Sequence, residues 1–114
     1  MATVVMLLAL GPGRPDGDLA YRMELIAALT PQGALDDGAF GGSPWATRRV
    51  LPDGNELAGE LVRAGTGWAL RGPAGEDAPL WGFEGQVFRP GEYVTLRRPD
   101  GDELIFRIVE VRPD

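Results

Sequence analysis

The tripeptide Pro-Asp-Gly occurs three times in this chain, and it constrains the fold more than any other feature. It stands at residues 15–17, 52–54 and 99–101, each time between two apolar-rich runs and each time followed by Asp or Asn. Proline presets the backbone for entry into a turn, aspartate closes a side-chain turn, and glycine accepts a positive φ angle. Three such reversals predict three hairpins and therefore a succession of short antiparallel strands.

The segments between the turns carry the alternation of apolar and polar residues that is typical of half-buried strands. The predicted strands cover residues 3–10, 19–29, 46–51, 56–64, 68–71, 80–89, 92–98 and 103–111. Seven or eight short strands in 114 residues favour a mainly-β, antiparallel barrel, roll or sandwich. A chain of this length fits one domain, which we assign to residues 1–114.

Two apolar segments near the start of the chain favour strands, and the second of them also fits a helix. Residues 3–10 are apolar on both alternating faces, which predicts a strand that is buried on both sides. Residues 19–29 alternate without a break along one face and favour a strand. Their Met, Glu, Leu and Ala content also fits a helix, which would make the domain α+β instead.

Residues 30–45 are the least regular part of the chain. Thr30 and Pro31 are suited to cap and begin one short helix over residues 31–37, and the glycines that follow prevent a longer one. Irregular segments of this length are uncommon in compact domains and are often functional loops.

Three residue types are absent, and each absence removes a class of chemistry. The chain has no cysteine and no histidine, and all 11 of its basic residues are arginine. This excludes disulfides, thiolate and imidazole metal sites, a Ser-His-Asp triad, a Schiff-base lysine and a phosphate-loop lysine. Because these groups are absent, we expect no cofactor and no metal, and we favour a binding role over catalysis. The same bias in composition is also typical of GC-rich coding sequences.

The charge balance bears on partners and on location. The formal net charge is −6, with 17 acidic residues against 11 basic ones, which argues against general binding to nucleic acid or to an anionic membrane. The apolar run at residues 3–10 is far shorter than the roughly 20 residues needed to span a bilayer. It also lacks the flanking charge and cleavage site of a signal peptide, so we expect a cytoplasmic protein.

The acidic residues offer few candidate sites. The Pro-Asp-Gly aspartates are interpreted as turn formers, because the twelfth residue of a calcium loop counted from Asp16, Asp53 or Asp100 is not acidic. Asp36 and Asp37 lie in the irregular segment without such an explanation. Among the strand acids, two carboxylates facing each other across a cleft would suit a glycosidase-like reaction. The three that fall inside predicted strands are Glu24, Glu60 and Glu84.

Arginines near aromatic residues form the remaining candidate. A guanidinium beside an aromatic ring can bind an anionic or planar ligand, or act as a protein hot spot. The predicted ligand- or partner-binding residues are Trp45, Arg48, Arg49, Trp68, Arg71, Trp81, Phe83 and Arg89. In the alternative interpretation, the tryptophans belong to the core and the arginines pair with the excess acids.

Three hypotheses for function follow. The first is a non-enzymatic module that binds a small molecule or a protein through the aromatic and arginine residues. The second is a small enzyme that uses only carboxylates, arginine and tyrosine. The third is a structural or oligomerisation protein, for example a homodimer that covers the apolar residues 3–10. Residues 88–111 resemble the C-terminal hairpin of small uncharacterised bacterial proteins, a resemblance that names no family and implies no functional residue.

Overall fold

The computed structural model describes residues 1–72 and 79–113, which form a closed antiparallel β-barrel. The described elements are β1 (Ala2–Leu10), β2 (Asp18–Ala27), α1 (Asp37–Phe40), β3 (Trp45–Val50), β4 (Glu56–Ala64), β5 (Gly67–Arg71), β6 (Trp81–Glu84), β7 (Tyr93–Arg97) and β8 (Glu103–Pro113). Each strand pairs with the next, and β8 closes the barrel on β1. The prediction of a mainly-β antiparallel barrel with one short helix is confirmed. Most of the predicted loop at 72–79 lies outside the described residues.

The three Pro-Asp-Gly turns reverse the chain in the same way. The amide of the glycine donates to the carbonyl oxygen three residues earlier, at 3.1 Å for Gly17, 2.8 Å for Gly54 and 2.9 Å for Gly101. These turns follow β1, β3 and β7, which run in the same direction because neighbouring strands alternate around the barrel. All three therefore lie at one end of the barrel, which we call the turn end. The opposite end carries α1 and is called the helix end.

The inside of the barrel is filled by side chains. An eight-stranded barrel is just wide enough for its inward residues to meet at the centre. The largest side chains that are fully buried are Phe88, Phe106, Met6, Met23, Leu25, Leu61, Leu70, Leu96, Ile108, Val4 and Val94. Because this core occupies the lumen, a ligand has access only to the ends or to the outer surface.

The strand interpretation of residues 19–29 is confirmed by β2, and the helical alternative is wrong. Tyr21, Met23, Leu25 and Ala27 face inward and are at most 9% exposed. Leu19, which belongs to the same alternating set, is 81% exposed. The register with β1 shifts just after Leu7, so the alternation does not continue through to Leu19.

The prediction that residues 3–10 are buried on both sides holds only in part. The inward residues Val4, Met6 and Leu8 are at most 2% exposed. On the outer face Val5 is buried, but Leu7 is only half-buried. The outside of a closed barrel has no second layer to cover it, which explains why both faces are not sealed.

The short helix lies later in the chain than residues 31–37. Thr30 accepts a hydrogen bond from Ala34 N at 3.1 Å, but this closes a turn rather than a helix. Gly33 has a φ of 90°, which right-handed helix does not allow. The observed helix is capped by Asp36, whose Oδ1 accepts from Ala39 N at 3.3 Å. Within residues 1–72 and 79–113, no helix is long and apolar enough to cross a membrane.

Strand β6 ends at Glu84, five residues before the predicted end at residue 89. Beyond it the Phe88 ring turns into the core, where it is 1% exposed, and it occupies the space beside Gly85. A Cβ on Gly85 would lie 2.8 Å from the Phe88 ring. The chain leaves the β-ladder here because burial of this large ring outweighs further strand pairing.

We expect Gly17→Ala to destabilise the barrel much more than Gly13→Ala. Both glycines have a positive φ, of 76° and 70°, so alanine costs about 1–2 kcal/mol at either position. A Cβ on Gly17 would also overlap the backbone oxygen of Leu8, whereas a Cβ on Gly13 would meet nothing within 4 Å. The overlap adds about 1–3 kcal/mol. Urea unfolding followed by tryptophan fluorescence measures both variants, and equal losses would contradict this account of the turn.

Candidate functional site

Nine of the 11 arginines have a charged or hydrogen-bonding partner in the described part of the chain. These are Arg14, Arg22, Arg48, Arg63, Arg71, Arg89, Arg97, Arg98 and Arg112. Most lie on the outside, where such pairs contribute little stability individually but neutralise charge. The side chains of Arg49 and Arg107 have no ion pair or hydrogen bond to any described residue, and this sets these two arginines apart.

Adjacent arginines of β3 face opposite sides of the barrel wall. Arg48 points outward and bridges Glu24 and Glu56, at 2.9 Å and 2.7 Å. Arg49 points inward, because successive side chains of a strand alternate. Only 6% of Arg49 is exposed, and its guanidinium carbon lies 4.6 Å from the centre of the Trp81 ring. The strand thus places one arginine in a network of acids and its neighbour against an indole.

Arg49, Trp81 and Arg98 together form what we call the mouth site. The guanidinium carbon of Arg98 lies 5.8 Å from the Trp81 ring centre, so two cations share one indole. Arg49 stands next to the last residue of β3, Trp81 begins β6, and Arg98 follows β7. These strand ends all belong to the turn end, so the mouth site lies at that end of the barrel.

The charge of Arg49 is the unusual feature of the mouth site. Arginine stays protonated in proteins, and a buried charge is normally paired. The contact with Trp81 stabilises the guanidinium by about 2 kcal/mol but offers it no acceptor oxygen. No side-chain nitrogen or oxygen among the described residues is both sealed from solvent and without a partner. The guanidinium nitrogens of Arg49 that have no partner among the described residues therefore keep some contact with solvent.

Trp45 and Trp68 lie at the helix end, away from the mouth site. Their rings stack with centres 5.3 Å apart, and the Phe40 ring of α1 packs edge-on against both at 5.0 Å and 5.2 Å. Arg63 lies 4.6 Å from the Trp68 ring centre and pairs with Asp37 at 3.0 Å. This cluster seals the core, and its arginine is fully engaged.

The other predicted binding residues make structural contacts. Arg71 pairs with Glu60 at 2.8 Å on the outer face. Phe83 is 2% exposed and stacks on Phe88 in the core. Arg89 donates to the backbone oxygen of Gln32 at 3.0 Å. The structure therefore does not bring the eight predicted residues onto one face; it brings together Arg49 and Trp81.

Sequence reasoning did not nominate Arg98 or Arg63, although each left a signal. Val94 and Leu96 alternate inward along β7, and the same alternation places Arg98 on the inner side. Arg63 stands directly across from Trp68 in the β4–β5 hairpin. The hairpin turn at 65–66 fixes that register, so the pair could have been found from the strand prediction alone.

The three carboxylates predicted inside strands face outward, and each forms an ion pair with at least one arginine. Glu60 pairs with Arg71, and Glu84 pairs with Arg97 at 2.9 Å. Burial alone would raise the pKa of Glu24, but the hydrogen bond from Arg48 and the charges of Arg22 and Arg48 outweigh it, so its pKa is lowered. A general acid needs the opposite shift. Of the two loop acids, Asp36 caps α1 and Asp37 holds Arg63.

No family model matches the chain, and neither a curated protein nor a solved structure is similar enough to count as a relative. Among the described residues, no group of three or more acidic side chains is arranged to hold a metal ion. The function is therefore inferred from the mouth site itself.

We expect Glu24→Gln to lower stability at neutral pH and to leave it unchanged in acid. Because the folded-state pKa of Glu24 is lowered from 4.5, its contribution is complete above that value and disappears as the pH falls through the folded pKa. Urea unfolding at several pH values between about 3 and 7 measures the difference from wild type. Glu92→Gln is the control, since Glu92 is exposed and has no ion pair among the described residues. A difference for Glu24→Gln that stays constant with pH would contradict the assigned ion pairs.

Proposed function

We propose that this protein is a non-enzymatic binding module that holds a small planar organic anion at the mouth site. One observation carries the proposal: Arg49 is 6% exposed, and no described residue supplies a negative charge or an acceptor to it. An anion in the mouth would provide both. Burying a charge without a partner is unfavourable, so a chain that retains one gains stability from a ligand that completes it.

The residues at the mouth favour an anion that also has a flat apolar part. A guanidinium presents parallel N–H groups that match the two oxygens of a carboxylate. Trp81 is half-buried, so part of its indole is open to solvent and offers apolar surface that a planar group can contact. Arg98 is held by Asp100 at 3.5 Å, a solvent-exposed contact of little strength, so it can turn towards a second oxygen of the ligand.

The same residues explain why we assign binding and not a reaction. Arginine does not release its proton in the accessible pH range, and the indole N–H is a donor only. These groups orient and neutralise an anion, but they do not transfer protons to or from it. The filled core limits the ligand to the mouth, because the fully buried side chains of the barrel leave no lumen behind Arg49.

We expect wild-type protein to bind benzoate and to lose this binding in Arg49→Met. Isothermal titration calorimetry with benzoate, acetate and inorganic phosphate separates the contribution of the flat ring from that of the charge. Tryptophan fluorescence reports on the same event, because Trp81 lies in the site. Benzoate should bind more tightly than acetate. Removal of Arg49 should lower the benzoate affinity at least about tenfold, because it removes one charge-assisted hydrogen bond of about 1.5–3 kcal/mol.

Arg63→Met is the matched control for the binding experiment. Its guanidinium lies at the same 4.6 Å from a tryptophan ring, but at the helix end and already paired with Asp37. Benzoate affinity should be unchanged in this variant. Equal weakening in both variants, or no binding of any of the three anions to wild type at millimolar concentration, would sink the proposal.

The two variants should also differ in stability, in opposite directions. Arg63→Met removes an ion pair and hydrogen bonds to the backbone oxygens of Thr66 and Gly67, and should cost about 1–2 kcal/mol. Arg49→Met removes an unpaired buried charge while methionine retains the apolar contact with Trp81, so stability should stay equal or rise. Urea unfolding in the absence of ligand measures both. A large loss for Arg49→Met would instead make Arg49 a structural residue.

A further inference from the structure

A second surface feature lies outside the barrel, on the faces of β1, β2 and β8. Six residues form what we call the outer patch: Leu7, Ala9, Asp16, Leu19, Arg107 and Val109. They line a shallow depression of about 200 Å³ near the turn end. Leu19 is 81% exposed and Val109 is 42% exposed, so the patch presents aliphatic side chains to water.

Leu19 and Val109 both lie at β-bulges on the two strands that flank β1. The register between β1 and β2 shifts just after Leu7, and Leu19 has no partner across the ladder. The register between β1 and β8 shifts just after Val5, and Val109 is likewise unpaired. A bulge can re-aim a side chain, and the bulge in β2 accounts for the exposure of Leu19. Val109 points outward through the alternation that buries Ile108. An exposed leucine forgoes the stabilisation that burial of its apolar surface against a partner would provide.

The charged residues of the outer patch are also unpaired. Arg107 is the second arginine that lacks an ion pair or hydrogen bond among the described residues. Asp16 differs from its counterparts in the other Pro-Asp-Gly turns, because Asp53 and Asp100 accept hydrogen bonds from the backbone at 2.9 Å and 3.0 Å. No such bond is made by Asp16, and no ion pair joins it to Arg107. The turn therefore does not account for this carboxylate.

We propose that the outer patch binds the outer patch of a second copy of this chain across a two-fold axis. In such an interface a residue i that meets residue j is matched by j meeting i, so the surface must complement itself. One unpaired acid and one unpaired base at the rim of one apolar depression meet this condition. Asp16 of each copy would then pair with Arg107 of the other, around a centre of Leu7, Leu19 and Val109.

The charge of the whole molecule favours a second copy over a partner of a single sign. The formal net charge is −6, yet the patch carries one charge of each sign and is neutral. A strongly basic partner would find better surfaces elsewhere on this acidic chain. A closed barrel offers no free strand edge, so two copies must meet through side chains, as the outer patch allows.

Sedimentation equilibrium of the full chain tests the proposal directly. Wild type should show a reversible monomer–dimer equilibrium, and Leu19→Asp should raise its dissociation constant about tenfold to a hundredfold. Ile26→Asp is the control, since Ile26 is a 41% exposed residue of the same strand that lies outside the patch. Circular dichroism confirms that both variants fold. A wild type that stays monomeric up to millimolar concentration overturns the proposal, as does equal weakening by Ile26→Asp.

Charge reversal identifies the two-fold pairing itself. Asp16→Arg alone and Arg107→Asp alone should each be monomeric, because each would bring like charges together twice. An equimolar mixture of the two single variants should form a heterodimer, in which both contacts join opposite charges. A mixture that remains monomeric while wild type dimerises would show that the dimer uses another face, and would overturn the assignment of the outer patch.

Discussion

Alternation of side chains around a closed ring of strands governs every other property of this molecule. Because β8 pairs with β1, each strand residue lies on either the inner or the outer side of one closed sheet, and the sheet has no edge strand. The inward set becomes a solid core. The outward set must be compatible with water, which the chain achieves by placing arginines between carboxylates, as Arg48 stands between Glu24 and Glu56.

Against this background the two unpartnered arginines are exceptions of different kinds. Arg49 is enclosed by the wall and packs against an aromatic face, so keeping its charge there without a partner is unfavourable. Arg107 is on the outside, where water solvates it at little cost, and its lack of a partner matters only because the surface around it is apolar. Stability alone explains neither position, and such departures from the local pattern are where function is expected.

The sequence predicted the strands and turns well because their signals are local. Proline, aspartate and glycine at 15–17 act within a few residues, and so does the alternation that defines β2. The missing parts depend on distant residues: Leu19 is exposed through its register with β1, and Phe88 leaves the ladder because its ring fills the core. The prediction of the candidate site was limited in the same way. Arg49 and Trp81 were both nominated, but their separation from Trp45 follows from strand direction in the closed barrel, which no local pattern reports.

The neighbouring arginines of β3 have a consequence for the uniqueness of the folded state. If β3 slipped by one residue, Arg48 would turn inside and Arg49 would take its place among the acids, and the surface charges would be satisfied equally well. Arg48 and Arg49 therefore do not favour either alignment of β3 over the other. The observed alignment is favoured by Trp45 and Thr47, which are 5% and 6% exposed and would be moved to the solvent side by the slip. A chain that loses the bulk of Trp45 would be prone to conformational heterogeneity, with two alignments of one strand coexisting in slow exchange.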